Sequence, residues 1–92
     1  MIMSFRDLDA QALFDGERIR RWINIERSLV RKLAALNRAR TLDELRSPPG
    51  NRLKSLGGDR NGQYSIRVND QFRICFAWCD GHAYDVTVVD YH

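Results

Sequence analysis

Ninety-two residues, 43% of them hydrophobic and 29% charged, suffice for one globular domain with one core, since a chain this short buries somewhat over ~60% of its unfolded surface. Six Gly and two Pro exclude a collagen-like or linker chain, the apolar content excludes disorder, and no apolar run approaches the roughly 20 residues of a membrane span. The formal charge is +3, and 13 of the 15 cations are Arg; residues 52–73 hold five basic and two acidic residues, whereas the last 19 residues hold three Asp and no Lys or Arg.

In chain order, MIMSFRD reads as an edge strand. It lacks the basic start and apolar run of a secretory signal, so a cytoplasmic protein with no membrane partner is expected. Asp9 is expected to cap a short helix over DAQALFDG that Gly16 ends. From Ile19 to about Asn37 the apolar positions Ile19, Trp22, Ile23, Leu29, Val30, Leu33 and Leu36 recur at helical spacing, with most Arg residues elsewhere, which predicts a long amphipathic helix. Thr41 followed by Glu44 is a capping-box pattern opening a further short turn, TLDELR, and Ser47-Pro48-Pro49-Gly50 should stop it.

After Gly50 the period becomes two. Tyr64, Ile66 and Val68, then Phe72, Ile74, Phe76 and Trp78, then Tyr84, Val86 and Val88 mark three half-buried strands. Asn69-Asp70-Gln71 and Asp80-Gly81-His82 separate them. Helices first and strands after predict an α+β fold, with N-terminal helices packed on one face of a mainly antiparallel twisted sheet. Three-residue loops would set Trp78 opposite Tyr84, Phe76 opposite Val86, and Ile74 opposite both Val88 and Ile66. The other face then carries Arg67 opposite Arg73, with Tyr91 diagonal to Arg73. Directly opposed cations destabilise a strand pair, so that face suits an anion, unless the guanidiniums splay into water or pair with Asp85 or Asp90.

Cys75 and Cys79, four residues apart on a strand, would stand about 13 Å apart, beyond the about 4.4–6.8 Å a disulfide spans. Two reduced thiols are expected. A zinc site recruiting His82 and His92 would have poor ligand geometry, so no metal site is expected. The remaining chemistry concentrates in NRLKSLGGDRNGQYSIRVNDQFRICF, where Arg52, Lys54, Arg60, Arg67 and Arg73 surround the glycine turns Gly57-Gly58 and Asn61-Gly62. Arg offers a planar fork for phosphate. Tyr64 has the parity of the core and Tyr91 the opposite parity, so Tyr91 is the functional candidate. His92 follows it, and an imidazole titrating at about pH 6.5 is suited to proton transfer. Cofactor-free acid–base chemistry with cationic charge stabilisation, such as attack of an RNA 2′-hydroxyl on its own phosphate, fits these parts.

The segments PPGNRLKSLGGDRNGQYSIRVNDQFRICFAW and DVTVVDYH, in this order of helices and strands, resemble the HigB toxins of the RelE/ParE superfamily. The resemblance is most specific in Gly58-Asp59-Arg60, in SIRVNDQFRICF and in the terminal Asp90-Tyr91-His92. It implies a RelE/ParE-like fold over residues 1–92 and a metal-free endoribonuclease that cuts mRNA in the A site of the 70S ribosome. It also implies a HigA-type helix-turn-helix antitoxin as partner, with operator DNA bound only through that antitoxin. By the resemblance Arg73 is the phosphate-stabilising arginine, and Tyr91 and His92 are the C-terminal catalytic pair. Lys54, also counted as catalytic, stands where some relatives carry a catalytic His and would either neutralise phosphate or act as the base, and Gly57 stands where some carry Lys. Two other readings remain on the same fold: a gyrase-poisoning toxin that binds a protein, and a catalytically silent partner of the antitoxin–operator complex.

Overall fold

The computed structural model describes residues 1–60 and 62–91, the Arg60 side chain excepted. Asn61, expected in a glycine turn, and His92, the expected proton-transfer residue, lie outside the described residues, as does the side chain of the expected phosphate ligand Arg60.

The first helix, α1 (Leu8–Phe14), is capped by Asp7 rather than Asp9. A cap must sit in extended backbone while its carboxylate reaches the first free amides. Asp7 does so at φ −103° and ψ 112°, accepting from the Asp9 and Ala10 amides at 3.0 and 3.3 Å. Asp9 lies inside the first turn and accepts from Arg21 Nη2 at 2.9 Å instead. Gly16 ends the helix as expected, at φ +102°, with the Gly16 and Glu17 amides donating to the Leu13 and Ala12 carbonyls. That pair of bonds is a Schellman cap.

The long helix expected from Ile19 is broken. A 3-10 turn, Arg20–Trp22, precedes α2 (Glu26–Arg38). Ile23, Asn24 and Ile25 are poor helix formers, and no side chain caps α2. The break lets Trp22 enter the core at 1% exposure while the Arg21 guanidinium covers its ring at 4.2 Å. Beyond it Leu29, Leu33 and Leu36 form the fully buried stripe of α2. The capping box is present: the Glu44 amide donates to Thr41 Oγ1, and Glu44 Oε2 accepts from the Thr41 and Arg40 amides. These bonds, led by that from Arg40, hold the Glu44 carboxyl below its ordinary pKa. They open the 3-10 turn Leu42–Arg46, and the prolines then shape another turn, Pro49–Asn51, before the chain extends.

Four strands follow: β1 (Lys54–Leu56), β2 (Gln63–Arg67), β3 (Phe72–Cys79) and β4 (His82–Asp90). They form an antiparallel sheet in the order β1-β2-β3-β4. The β2–β3 register is the expected one, with Ile66 opposite Ile74 and Arg67 opposite Arg73. The Asn69 side chain holds the turn, its Oδ1 accepting from the Gln71 and Phe72 amides at 2.8 and 2.7 Å.

Between β3 and β4 one of the three expected pairs holds, and Phe76 falls at a bulge instead of pairing with Val86. Ile74 faces Val88, but Trp78 faces Ala83, and Tyr84 faces Ala77 rather than Trp78. Asp80 and Gly81 take φ +50° and +81°, a two-residue turn whose twist matches the strands better than a three-residue loop would. The lost residue of register returns as a bulge where β4 passes Phe76, with Asp85 at φ +53°. Ala83 thereby takes the core position expected for Tyr84 and is fully buried.

The N-terminal segment lies along β4, as an edge strand would, but in parallel and only at two bridges, Ile2 to Ala83 and Phe5 to Val86. The Asp85 bulge interrupts it, and Ser4 Oγ accepts the Asp85 amide at 2.9 Å. Both helices pack on the sheet face bearing Ile66, Ile74, Phe76 and Val86. Neither Cys75 nor Cys79 is in a disulfide; the first is buried and the second exposed. Among the described residues no helix is long and apolar enough to cross a membrane.

Gly81 is the glycine the hairpin requires, since a Cβ there would meet the Arg40 carbonyl oxygen at 3.1 Å on top of the positive φ. Gly81→Ala should lower unfolding stability by at least about 1–2 kcal/mol, the usual penalty of left-handed backbone for an L-residue. Gly50→Ala, where a Cβ meets nothing within 4 Å, should stay within about 0.5 kcal/mol of wild type. Urea denaturation of the two variants checks the contrast.

Candidate functional site

On the sheet face opposite the helices, a groove of about 420 Å³ is lined by Arg52, Lys54, Arg67 and Arg73, with Tyr91 at the C-terminal end of the sheet. The register builds it. Lys54 pairs with Ser65 across β1–β2, and Arg67 pairs with Arg73 across β2–β3. The Tyr91 amide donates to the Gln71 carbonyl, which extends β4 past Asp90 and carries the phenol to this face. Five of the seven residues expected in the site therefore meet in one groove; Arg60 and His92 are the two lying outside the described side chains.

The two opposed guanidiniums are handled differently. Arg67 pairs with Asp70, in the turn three residues on, rather than with Asp85 or Asp90. Asp90 accepts from Gln71 Nε2 at 3.2 Å. Arg73 bends back over the sheet: its Nε donates to Ser65 Oγ at 2.9 Å, and its Nη2 donates to the Arg52 carbonyl at 2.7 Å and to the Ser65 carbonyl at 3.3 Å. Among the described residues nothing accepts from Nη1. Burial lowers the pKa of Arg73; nearby Tyr91 and Cys75 oppose that shift, and Arg67 and Arg52 add to it. A guanidinium keeps its charge regardless, so the groove floor is a fixed cation.

Two supports of this floor carry little sequence signal. Ser65 reads as an ordinary polar residue of a half-exposed strand, yet it is fully buried; its shared parity with Arg67 was the available clue. The second begins on α2, where Lys32 sits on the polar side of the apolar stripe and donates to Asn51 Oδ1. Asn51, also fully buried, donates to the Leu45 and Ser47 carbonyls at 3.0 and 3.2 Å. Burial, then Arg31 and Arg67, hold the Lys32 ammonium below its ordinary pKa. This network fixes the chain just before Arg52, whose left-handed backbone at φ +43° ends the preceding turn and precedes β1. Tyr64 belongs to the core side, its ring 6.3 Å from that of Phe76.

The arrangement of helices over a four-stranded antiparallel sheet is that of a RelE-like toxin. It is similar in fold to a YoeB dimer structure from Staphylococcus aureus, at a TM-score of 0.55 and 18% identity, covering 99% of this chain and 94% of that one. Residues 3–92 match the family described as the RelE-like toxin of type II toxin-antitoxin system HigB. The chain is 40% identical over 94 residues to Toxin HigB-1 of Vibrio cholerae serotype O1, covering 100% of this chain and 98% of that protein. An uncharacterized protein of Haemophilus influenzae is 40% identical over 55 residues, which are 60% of this chain and 54% of that protein. The chain belongs to the HigB-like toxin family of type II toxin–antitoxin systems. Membership of such a system implies an antitoxin as its partner.

With Arg52, Lys54, Arg67 and Arg73 against the single carboxylate of Asp70, the groove should bind polyanions by releasing their counterions. Arg67→Ala should reduce the slope of log affinity against log salt by about 0.7 for a single-stranded oligonucleotide. Fluorescence anisotropy at several salt concentrations measures it.

Proposed function

We propose that residues 1–92 act as a ribosome-dependent endoribonuclease that cleaves mRNA in the A site. The observation that supports this reading is the fixed Arg73 guanidinium in a groove shared with Arg52, Lys54, Arg67 and Tyr91. In the proposed reaction a base removes the 2′-hydroxyl proton and the 2′-oxygen attacks phosphorus. The bond to the 5′-oxygen breaks as an acid protonates it, leaving a 2′,3′-cyclic phosphate and a 5′-hydroxyl. Arg73 stabilises the extra charge of the phosphorane, as preorganised donors do for oxyanions. His92 is the proton-transfer group, Tyr91 its neighbour on the reacting phosphate, and Lys54 a neutralising cation. Arg52, Arg60 and Arg67 hold the flanking phosphates.

Among the described residues the groove offers one aromatic ring, Tyr91, against which a base can stack. It therefore needs another body to splay and align the RNA, which the decoding site of the ribosome supplies. In this reading the protein acts in the cytoplasm, and a HigA-type helix-turn-helix antitoxin silences it and carries it to operator DNA. A toxin that poisons gyrase by binding has no use for a guanidinium held against a buried serine.

Mapping 5′ ends on translated mRNA after expression without antitoxin tests the reading. Arg73→Ala should lower cleavage by roughly 10²–10³, the usual effect of losing a preorganised charge contact. Arg67→Ala should lose less, because Arg67 already has a carboxylate partner in Asp70. Equal, small losses would overturn the assigned site. His92→Gln should lower single-turnover cleavage by roughly 10²–10⁴, the usual range for a proton-transfer group. Wild-type rates from pH 6 to 9 in that variant would remove His92 from the mechanism.

A further inference from the structure

We infer that Ser65 is a positioning residue for Arg73, setting the angle at which that guanidinium meets the substrate phosphate. The inference rests on the endoribonuclease reading and deepens it. Ser65 sits at the centre of the sheet, between Lys54 on β1 and Cys75 on β3. Its side chain is fully buried, covered by the arginine it holds. Both its hydroxyl and its carbonyl accept from Arg73, at Nε and Nη2. The Arg52 carbonyl takes Nη2 from the other side at 2.7 Å.

Contacts on two nitrogens fix a planar group in position and in rotation; a contact on one leaves it free to swing. Without the Ser65 hydroxyl, Nε loses its acceptor and Nη2 alone is held, so the guanidinium pivots about that nitrogen. Arg67, directly opposite, then pushes it away from the groove floor, as like charges across a strand pair do. A charge on a swinging arm still attracts RNA. It stabilises a transition state less, because that contribution depends on placement to within about an ångström.

The inference therefore predicts a separation of binding from chemistry. Ser65→Ala should lower single-turnover cleavage on programmed ribosomes by roughly 10–100-fold, while ribosome affinity changes by less than about 2-fold. In an Arg73→Ala background the same substitution should change cleavage by less than about 2-fold, since a group acting only through Arg73 has nothing left to act on. Ser65→Cys, similar in size with a weak acceptor, should fall between serine and alanine and serves as the second variant if alanine fails to fold.

The double-mutant cycle separates the ways of being wrong. If Arg73→Ala leaves cleavage intact, the endoribonuclease site itself is misassigned. If Arg73→Ala is severe and Ser65→Ala is neutral, the site stands and the positioning role falls. A loss on Ser65→Ala that persists undiminished without Arg73 would mean that Ser65 acts on the fold or directly on RNA.

Discussion

Two guanidiniums facing each other on neighbouring strands repel, and much of the local structure is arranged around that repulsion. The Arg67–Arg73 pairing follows from the Asn69 turn and the burial of Ile66 against Ile74, so neither charge can leave the face without turning the apolar residues outward. Each arginine therefore finds its own acceptor. Arg67 takes the exposed Asp70, a contact worth little in water and readily exchanged for a phosphate. Arg73 takes an alcohol and two backbone carbonyls, neutral acceptors that orient the charge without cancelling it. One arginine is fixed and charged, and its neighbour is reversibly masked.

That division depends on elements far from the groove in sequence. The Arg52 carbonyl faces Arg73 because Asn51, buried and bonded to Leu45, Ser47 and Lys32, anchors the loop before it. The capping box at Thr41 and Glu44 sets the start of the same loop. The far end of the sheet has a different logic. There the tight Asp80-Gly81 turn and the Asp85 bulge offset each other by one residue, so that Ile74 still faces Val88 and Arg73 faces Val89.

How much of this was legible in the sequence follows from what periodicity can report. Alternation from Tyr64 to Val68 and from Phe72 to Trp78, with an Asn-Asp-Gln turn between, determined the β2–β3 register and with it the Arg67–Arg73–Tyr91 face. The same alternation could not distinguish a two-residue hairpin with a bulge from a three-residue loop without one, because both return Val88 to Ile74. The spacing of Ile19, Trp22 and Ile23 continues that of α2, so apolar period alone did not reveal the break before Glu26. β1, Lys54–Leu56, was too short to show a period. Arg73 and Tyr91 stood out by charge and parity. Ser65 did not, because its importance lies in what covers it, and burial of a small polar residue leaves no mark on composition.

The N-terminal segment has a consequence for the behaviour of the free protein. A sheet of four strands has two edges, and an exposed edge is a template onto which another chain can add. Here Met1 to Arg6 bonds to β4 at Ala83 and Val86, while the opposite edge, β1, is three residues long and carries Lys54. Neither margin offers a long, flat, uncharged row of amides and carbonyls. Covering one margin at Ala83 and Val86 and keeping the other to three residues leaves little edge onto which a copy of this chain could add.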